Sequence, residues 1–138
     1  MTPLQVLNYI NLISTKGLSP NCHFVFVDNL PKNSRPKLNE KIWQEVHEGM
    51  RSAVSGIGGT GKKSDPMIDG LIIYGKTGTA ENPHGDNHAW FAGWADYQNK
   101  IYSLVILLEN AGSGGAIAAP LAKEILIELF SDEMLTVK

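Results

Sequence analysis

The stretch Leu71-Ile72-Ile73-Tyr74-Gly75-Lys76-Thr77-Gly78-Thr79 is an apolar run that ends in a cation and two hydroxyl groups. The apolar residues predict a strand, so the polar residues are expected at its exposed end. Gly78 has no side chain, and an extended ligand can therefore lie against the strand at this point. A fixed cation, hydroxyls and open backbone N–H groups can hold a carboxylate and polarise a carbonyl. Lys76, Thr77, Gly78 and Thr79 are the candidate site residues.

The chain opens with a full set of helix-start signals. Thr2 is the predicted N-cap, Pro3 stands at the first helical position and Gln5 closes a capping box. Gly17 is predicted to end this helix. Its core-facing positions follow at helical spacing, and they are Leu4, Leu7, Ile10 and Ile13 or Ser14. A short strand or extended segment is predicted at residues 24–27.

Two further helices are predicted. Asn39 caps the second helix. Its core-facing residues are Ile42, Val46, Met50 and Ala53 or Val54. Residues 56–66 are predicted to form a flexible loop rich in glycine and lysine. The last helix is predicted from about residue 116 to residue 130, with Pro120 tolerated only in its first turn. Its predicted apolar face consists of Leu121, Ile125, Leu126 and Leu129.

Three strands are predicted between the second and the last helix, at residues 71–80, 88–95 and 101–109. The connections at residues 82–87 and 97–100 are short enough to join neighbouring antiparallel strands. A central meander with helices at both ends indicates the α+β class. The prediction is a three-stranded antiparallel meander with flanking helices. At 138 residues the chain fits one domain.

Composition excludes several classes of function. The chain is 43% hydrophobic and 19% charged with a net charge of −2, which gives no basic field for nucleic acid. It contains no signal peptide and no apolar run of ~18 residues. The single cysteine, Cys22, excludes an internal disulfide. No cofactor and no metal site are predicted, because His84 and His88 flank a Pro-Gly-Asp turn with no third ligand nearby.

A phosphate-binding loop is a competing interpretation of the same segment. Residues 70–77 satisfy the Gly-x4-Gly-Lys-Thr pattern, and residues 56–62 satisfy most of it. Such a loop needs a strand before its first glycine and a helix that starts at its lysine. The four residues inside the first match are apolar and strand-like, and the sequence after Lys76 does not favour a helix. The pattern therefore favours a sheet edge over a nucleotide site.

Two short matches to nucleophile motifs are interpreted as coincidences. The segment Ser34-Arg35-Pro36-Lys37 fits Ser-x-x-Lys, but it carries proline where a helix should run and precedes the cap at Asn39. The segment Ser19-Pro20-Asn21 fits Ser-x-Asn, but it has the composition of a turn after the first helix. Neither segment predicts a catalytic serine.

Six blocks of sequence occur in one order, at residues 2–5, 49–54, 59–61, 75–81, 88–93 and 114–122. This succession resembles the C-terminal portion of the transpeptidase domain of class B penicillin-binding proteins, nearest to the elongation-type enzymes that serve cell shape. The resemblance covers residues 2–130. It implies that the three strands belong to the five-stranded sheet of the penicillin-binding and β-lactamase-like fold.

The resemblance also implies roles for the site residues. Lys76 would supply positive charge to a serine–lysine centre and to the substrate carboxylate. The hydroxyls of Thr77 and Thr79 would bind that carboxylate beside Gly78, and the Thr79 backbone N–H would form half of an oxyanion hole. In the family the nucleophilic serine lies before the helix that starts at Pro3. Residues 1–138 are therefore expected to be the C-terminal segment of the domain, inactive in isolation.

Ligands, partners and location follow from the same resemblance. Peptidoglycan stem peptides or β-lactams are the expected ligands of the intact enzyme. The parent protein, of which this chain would be a segment, is expected to be membrane-anchored. The segment is expected to lie on the outer side of the cytoplasmic membrane. The strand from Ile101 to Glu109 would lose its neighbour in the sheet, and this exposed edge predicts a homodimer. The alternative function is a non-catalytic interaction module of the same fold.

Overall fold

The computed structural model describes residues 1–18, 22–23 and 36–135, with side chains to residue 131. The predicted strand at residues 24–27 lies outside the described residues. So do the Ser19-Pro20-Asn21 segment and the first half of the Ser-x-x-Lys match, including Ser34. No helix in the described ranges has the length and the apolar content needed to span a bilayer.

The described elements follow the predicted order. Helix α1 spans Pro3–Ser14 and helix α2 spans Glu40–Ser55. Strands β1, β2 and β3 span Ile72–Ala80, His88–Tyr97 and Lys100–Leu108. Helix α3 spans Ala119–Leu135 and is preceded by a π-helical turn at Gly114–Ala118. A short 3₁₀ helix at Lys62–Ser64, called the lysine turn below, lies between α2 and β1.

The sheet is the predicted antiparallel meander, in the order β1-β2-β3. Gly78 lies opposite Trp90, and Phe91 lies opposite Ile106. The β2–β3 connection is tighter than predicted, since Gln98 and Asn99 both have positive φ. A two-residue turn of this kind matches the twist of a hairpin and lets β2 continue to Tyr97.

The main core lies between the sheet and α3. Phe91 of β2 and Phe130 of α3 are completely buried. Small residues on the helix allow close packing on the sheet, and these are Ala118, Ala119 and Ala122. Val54, near the end of α2, joins the same core. At about 25 cal/mol per Å² of buried apolar surface, this cluster is the main source of the fold's stability.

Helices α1 and α2 cover the opposite face of the sheet. Helix α1 packs against β3 and helix α2 packs against β1. Trp94 stacks on Tyr74 with ring centroids 4.5 Å apart, and His47 of α2 lies against Trp94 at 5.0 Å. A ring nitrogen of His47 is 2.8 Å from the Ile13 carbonyl oxygen, which ties α2 to the end of α1.

Two predicted helix faces are wrong in part, since Val54 of α2 and Leu126 of α3 are buried as predicted but several other members are exposed. In α2, Ile42 and Val46 are 43% and 38% exposed, whereas Trp43 is buried. The buried side of α2 instead follows Trp43, His47, Met50, Arg51 and Val54, because the aromatic cluster on the sheet receives this side. In α3 only Leu126 of the predicted face is buried. Alanines and Phe130 form the rest of its buried side, and the exposed members are Leu121, Ile125 and Leu129.

The predicted helix caps are confirmed. Thr2 and Gln5 form a reciprocal capping box, and the Asn39 side chain accepts a hydrogen bond from the Lys41 N–H. The segment predicted as a flexible loop at residues 56–66 is instead hydrogen-bonded and contains the lysine turn. Its Gly61 N–H donates to the Ala53 carbonyl at 2.9 Å. The completely buried Ser64 hydroxyl donates to the Gly61 carbonyl at 2.7 Å.

Candidate active site

A cleft of about 800 Å³ lies along the free edge of β1. All four predicted site residues line it, namely Lys76, Thr77, Gly78 and Thr79. The other lining residues come from the segment before β1 and from the segment before α3, and they are Gly59, Thr60, Lys62, Lys63, Ser113 and Gly115. The lining contains three lysines and no carboxylate. The cleft is therefore suited to an anionic ligand.

Only the second half of the β1 edge is open. The Arg51 guanidinium of α2 donates to the Ile73 carbonyl at 3.0 Å and so covers the first half. The Lys76 ammonium donates to the Thr77 carbonyl at 2.6 Å, also from outside the sheet. The direction of the backbone N–H and C=O groups alternates along a strand. Because the carbonyls of Ile73 and Thr77 accept from outside the sheet, the backbone groups of the odd-numbered residues of β1 point away from β2. The N–H groups of Thr77 and Thr79 therefore point into the cleft.

The hydroxyl of Thr77 is bonded to that of Thr60, with the two oxygens 2.7 Å apart. Thr77 is buried, whereas Thr60 is exposed at the cleft. Each hydroxyl carries one hydrogen, and the bond between them uses only one. The second hydrogen remains for a ligand, which an oxygen atom of a carboxylate would accept. Thr60 therefore joins the predicted residues at the site.

The hydroxyl of Thr79 accepts a hydrogen bond from the Gly114 N–H at 3.2 Å. Its own hydrogen is free to donate to a ligand. Gly114 reaches this position because it lies directly on the sheet: a Cβ atom there would stand 2.2 Å from the Gly78 carbonyl oxygen. A Cβ at Gly78 would stand 3.3 Å from Trp90 Cβ on the opposite face. Gly78 is thus confined from both faces of the sheet.

The lysine turn holds two cations at a fixed place beside the cleft. Its backbone is anchored by the Ser64 N–H, which donates to the Gly61 carbonyl at 2.8 Å, and by packing against α3. The side chains of Lys62 and Lys63 are exposed. Sequence reasoning assigned these lysines, Thr60 and Ser113 no role. The available signal was the Gly59-Thr60-Gly61 block, but the Thr60–Thr77 contact joins residues 17 apart and depends on the tertiary fold.

The phosphate-loop match and the histidine pair do not have the local structure that a nucleotide site or a metal site requires. Lys76 lies inside β1, so the phosphate-loop match at residues 70–77 has no helix at its lysine. His88 starts β2, and its Nδ1 accepts a hydrogen bond from the Asn110 N–H at 3.0 Å. Among the described residues, no three histidine, cysteine or acidic side chains gather as a metal site would require.

Comparison with known proteins identifies a family for this arrangement. Residues 1–127 match the family described as penicillin binding protein transpeptidase domain. A curated relative, peptidoglycan D,D-transpeptidase MrdA of Haemophilus influenzae, is 30% identical over 91% of this chain. The chain spans only 23% of that relative's length.

Solved structures agree with the sequence match. Pseudomonas aeruginosa PBP2, in complex with WCK 5153, superposes with a TM-score of 0.69 at 27% identity, covering 94% of this chain and 30% of that one. Penicillin-binding protein A of M. tuberculosis, as a ceftriaxone acyl-enzyme complex, gives a TM-score of 0.67 at 25% identity, covering 91% and 32%. The chain, with its Lys-Thr-Gly-Thr strand at the edge of the sheet, belongs to the penicillin-binding protein transpeptidase domain family.

Proposed function

We propose that the chain is the C-terminal segment of an elongation-type peptidoglycan D,D-transpeptidase and supplies its substrate-binding strand. The observation that carries this proposal is the open half of β1, where two outward N–H groups, the Thr60–Thr77 hydroxyl pair and the Lys76 ammonium share one cleft. A peptide that pairs with this edge as an extra strand would gain backbone hydrogen bonds and a carboxylate site together.

The cleft suits a peptide that ends in D-alanyl-D-alanine. Its terminal carboxylate would accept from the Thr60–Thr77 pair and from the Thr79 hydroxyl, with Lys76 supplying the compensating charge. The carbonyl oxygen of the bond to be broken would accept from the Thr79 N–H, which polarises it. A β-lactam presents a carboxylate and a reactive carbonyl in a similar relation. We propose both as ligands of the intact enzyme.

The reaction would proceed through a serine of the remaining part of the domain. The serine oxygen attacks the polarised carbonyl, the C–N bond breaks, and the departing amine takes the serine's proton. The amine of a second peptide then attacks the ester, and the serine oxygen leaves with a proton from that amine. The residues described in this chain bind, orient and stabilise charge. The parent is proposed to be membrane-anchored, with this segment on the outer side of the cytoplasmic membrane.

The proposed binding can be tested on the 138-residue chain with an N-acetylated peptide that ends in D-alanyl-D-alanine. Backbone amide signals of Thr60, Thr77 and Thr79 are expected to shift in a titration followed by nuclear magnetic resonance. The same peptide with a terminal carboxamide is the control, and it should bind more weakly because the hydroxyls lose their anionic acceptor. Equal affinity for both peptides, or shifts confined to other surfaces, would contradict the proposal.

The edge of β3 that faces away from β2 has no neighbouring strand among the described residues, and it supports a second proposal, the homodimer. A groove of about 410 Å³ runs along this edge, between Pro3, Leu4 and Leu7 of α1 and Ile125 of α3. Ser103 lines it, and its hydroxyl oxygen is buried with no hydrogen-bond partner in the part of the chain that the structure describes. Because the backbone groups of an antiparallel strand point alternately toward and away from the neighbouring strand, the N–H groups of Ser103 and Val105 point away from β2. A second copy of β3 would satisfy them.

Light scattering would measure this association. The chain is expected to be dimeric at about 100 μM, and Val105→Pro is expected to be monomeric because it removes one outward N–H without touching the β2 ladder. A thermal melt checks that the variant is folded. A wild-type monomer at this concentration would contradict the dimer. A strong dimer with no binding of the peptide above would instead favour the non-catalytic interaction module.

A further inference from the structure

We propose that a cationic surface formed by Lys62, Lys63 and Lys123 binds the second substrate of transpeptidation, an acidic peptide that carries a primary amine. This inference rests on the proposed function, because it assigns the acceptor in the same reaction. The surface begins in the active-site cleft and continues past the lysine turn. None of its residues takes part in the carboxylate site described above.

The surface joins two neighbouring clefts. Lys62 and Lys63 line the active-site cleft and also a second cleft of about 400 Å³, to which α3 contributes Lys123. The one carboxylate in the second lining belongs to Asp65, and it accepts a hydrogen bond from the Met67 N–H at 2.9 Å. Within the described ranges, none of the three lysines forms an ion pair. The positive charge is therefore available to a ligand.

The peptide that ends in D-alanyl-D-alanine is the donor peptide of the reaction, and its terminal residue is the leaving group. Its direction in the cleft places the cationic surface on the side where that residue leaves. In this arrangement the Thr79 N–H donates a hydrogen bond to the scissile carbonyl oxygen. The Thr60–Thr77 hydroxyl pair donates to the carboxylate of the residue that leaves. Moving from Thr79 to Thr77 and on to Thr60 leads directly to the lysine turn, two residues further along the chain. By microscopic reversibility, the attacking amine approaches along the path by which the first amine departs. The acceptor must therefore pass the lysine turn.

Charge then selects the kind of acceptor. Three cations beside this path favour a peptide with several carboxylates, and they disfavour a neutral one. The side chains of Lys62 and Lys63 are exposed to a ligand, while the backbone of their turn is held by the hydrogen bond from the buried Ser64 hydroxyl to the Gly61 carbonyl at 2.7 Å. Because the site is open to solvent, its attraction should be screened strongly by salt.

The test uses the 138-residue chain and a synthetic tripeptide with two free carboxylates and one side-chain amine. The control ligand is the same tripeptide with both carboxylates amidated. The double variant Lys62→Gln/Lys63→Gln removes two cations of the surface, and Lys100→Gln/Lys41→Gln removes two exposed lysines elsewhere. Amide shifts of residues 62, 63 and 123 report binding at the surface. The D-alanyl-D-alanine donor peptide is titrated in parallel, with Thr77 and Thr79 as its reporters.

We expect the acidic tripeptide to bind at least about threefold more weakly to the surface double variant than to wild type, and the Lys100/Lys41 variant to bind like wild type. Raising the salt should remove the difference. Equal loss in both variants, or equal affinity for the amidated tripeptide, would overturn the inference. Tighter, lysine-dependent binding of polyphosphate would assign the surface to an anionic polymer instead. If the inference is overturned but the D-alanyl-D-alanine peptide still shifts the amide signals of Thr77 and Thr79, the proposed function stands. If that peptide causes no such shifts, the proposed function is contradicted independently of the inference.

Discussion

At the level of single side chains, the proposed carboxylate site depends on how the hydroxyl of the buried Thr77 is held. Its oxygen is held 2.7 Å from that of Thr60, so the pair keeps one hydroxyl hydrogen for a ligand whichever of the two donates to the other. The hydroxyl of Thr79 is similarly positioned by the Gly114 N–H. Donors that are already oriented need no reorganisation when an anion arrives, which is the basis of electrostatic preorganisation.

Thr60→Val should weaken donor binding because it removes one oxygen of the pair. The expected loss for a hydrogen bond to a charged group is about 1.5–3 kcal/mol, or more than tenfold in affinity. The buried Thr77 hydroxyl also loses its partner in this variant, so a loss of stability of about 1–3 kcal/mol is expected as well. Thr60→Ser keeps the hydroxyl and is expected to restore binding. If the valine variant binds the donor peptide like wild type, Thr60 has no place in the site.

Lys76→Ala and Thr79→Ala should differ in the intact transpeptidase domain that carries this chain. Loss of the Lys76 charge leaves the substrate carboxylate uncompensated, and the barrier to acylation is expected to rise by ~3 kcal/mol or more. Thr79→Ala keeps the backbone N–H that faces the cleft and should lose less. Stopped-flow acylation with a chromogenic β-lactam measures both rates. Equal rates for the two variants and wild type would exclude Lys76 from the mechanism.

At the level of elements, the close contact between the π-helical turn and the sheet determines the shape of the cleft. Gly114→Ala would put a Cβ 2.2 Å from the Gly78 carbonyl oxygen, so the turn must move away from β1. We expect a loss of stability of about 1–3 kcal/mol, as for other overpacked sites. Gly49→Ala is the matched control, because nothing lies within 4 Å of a Cβ there. It should stabilise α2 by up to about 1 kcal/mol.

Denaturant unfolding of both glycine variants measures this prediction. The two changes add the same methyl group, so their opposite signs reflect the surroundings of each glycine, a close contact at Gly114 and an open helix position at Gly49. Gly114→Ala should also abolish the amide shift of Thr79 on donor binding, because the hydroxyl loses its partner. A Gly114→Ala chain as stable as the Gly49→Ala chain would show that the contact is not as close as described.

Local signals predicted the element order well, and tertiary packing explains where they failed. The capping box at Thr2 was predictable because its partners are three residues apart. The buried side of α2 was not, because Ile42 and Trp43 are both apolar and only the aromatic cluster on the sheet decides between them. The site shows the same division. The Lys-Thr-Gly-Thr strand is visible in the sequence, whereas the contribution of Thr60 arises from folding.

At the level of the whole molecule, the cleft brings together the residues of the proposed carboxylate site, and no described residue that lines it belongs to a Ser-x-x-Lys motif. Ser113 lines the cleft, but Ala116 stands three residues later, where the family's motif has lysine. We therefore expect no covalent adduct when the chain is incubated with excess β-lactam. Intact-mass spectrometry measures this directly. An adduct on Ser34 or Ser113 would show that this chain carries a nucleophile. It would contradict the proposal that the reactive serine lies in the remaining part of the domain.

In the proposed function, the open half of β1 binds an anionic peptide as an added strand. A crystal structure of the chain with the D-alanyl-D-alanine donor peptide tests it most directly. We predict that the peptide lies antiparallel to β1 with its carbonyl oxygen within hydrogen-bonding distance of the Thr79 N–H. Its carboxylate should contact the Thr60–Thr77 hydroxyl pair. A peptide bound in the groove beside β3, or one whose carboxylate points away from these hydroxyls, would contradict the account.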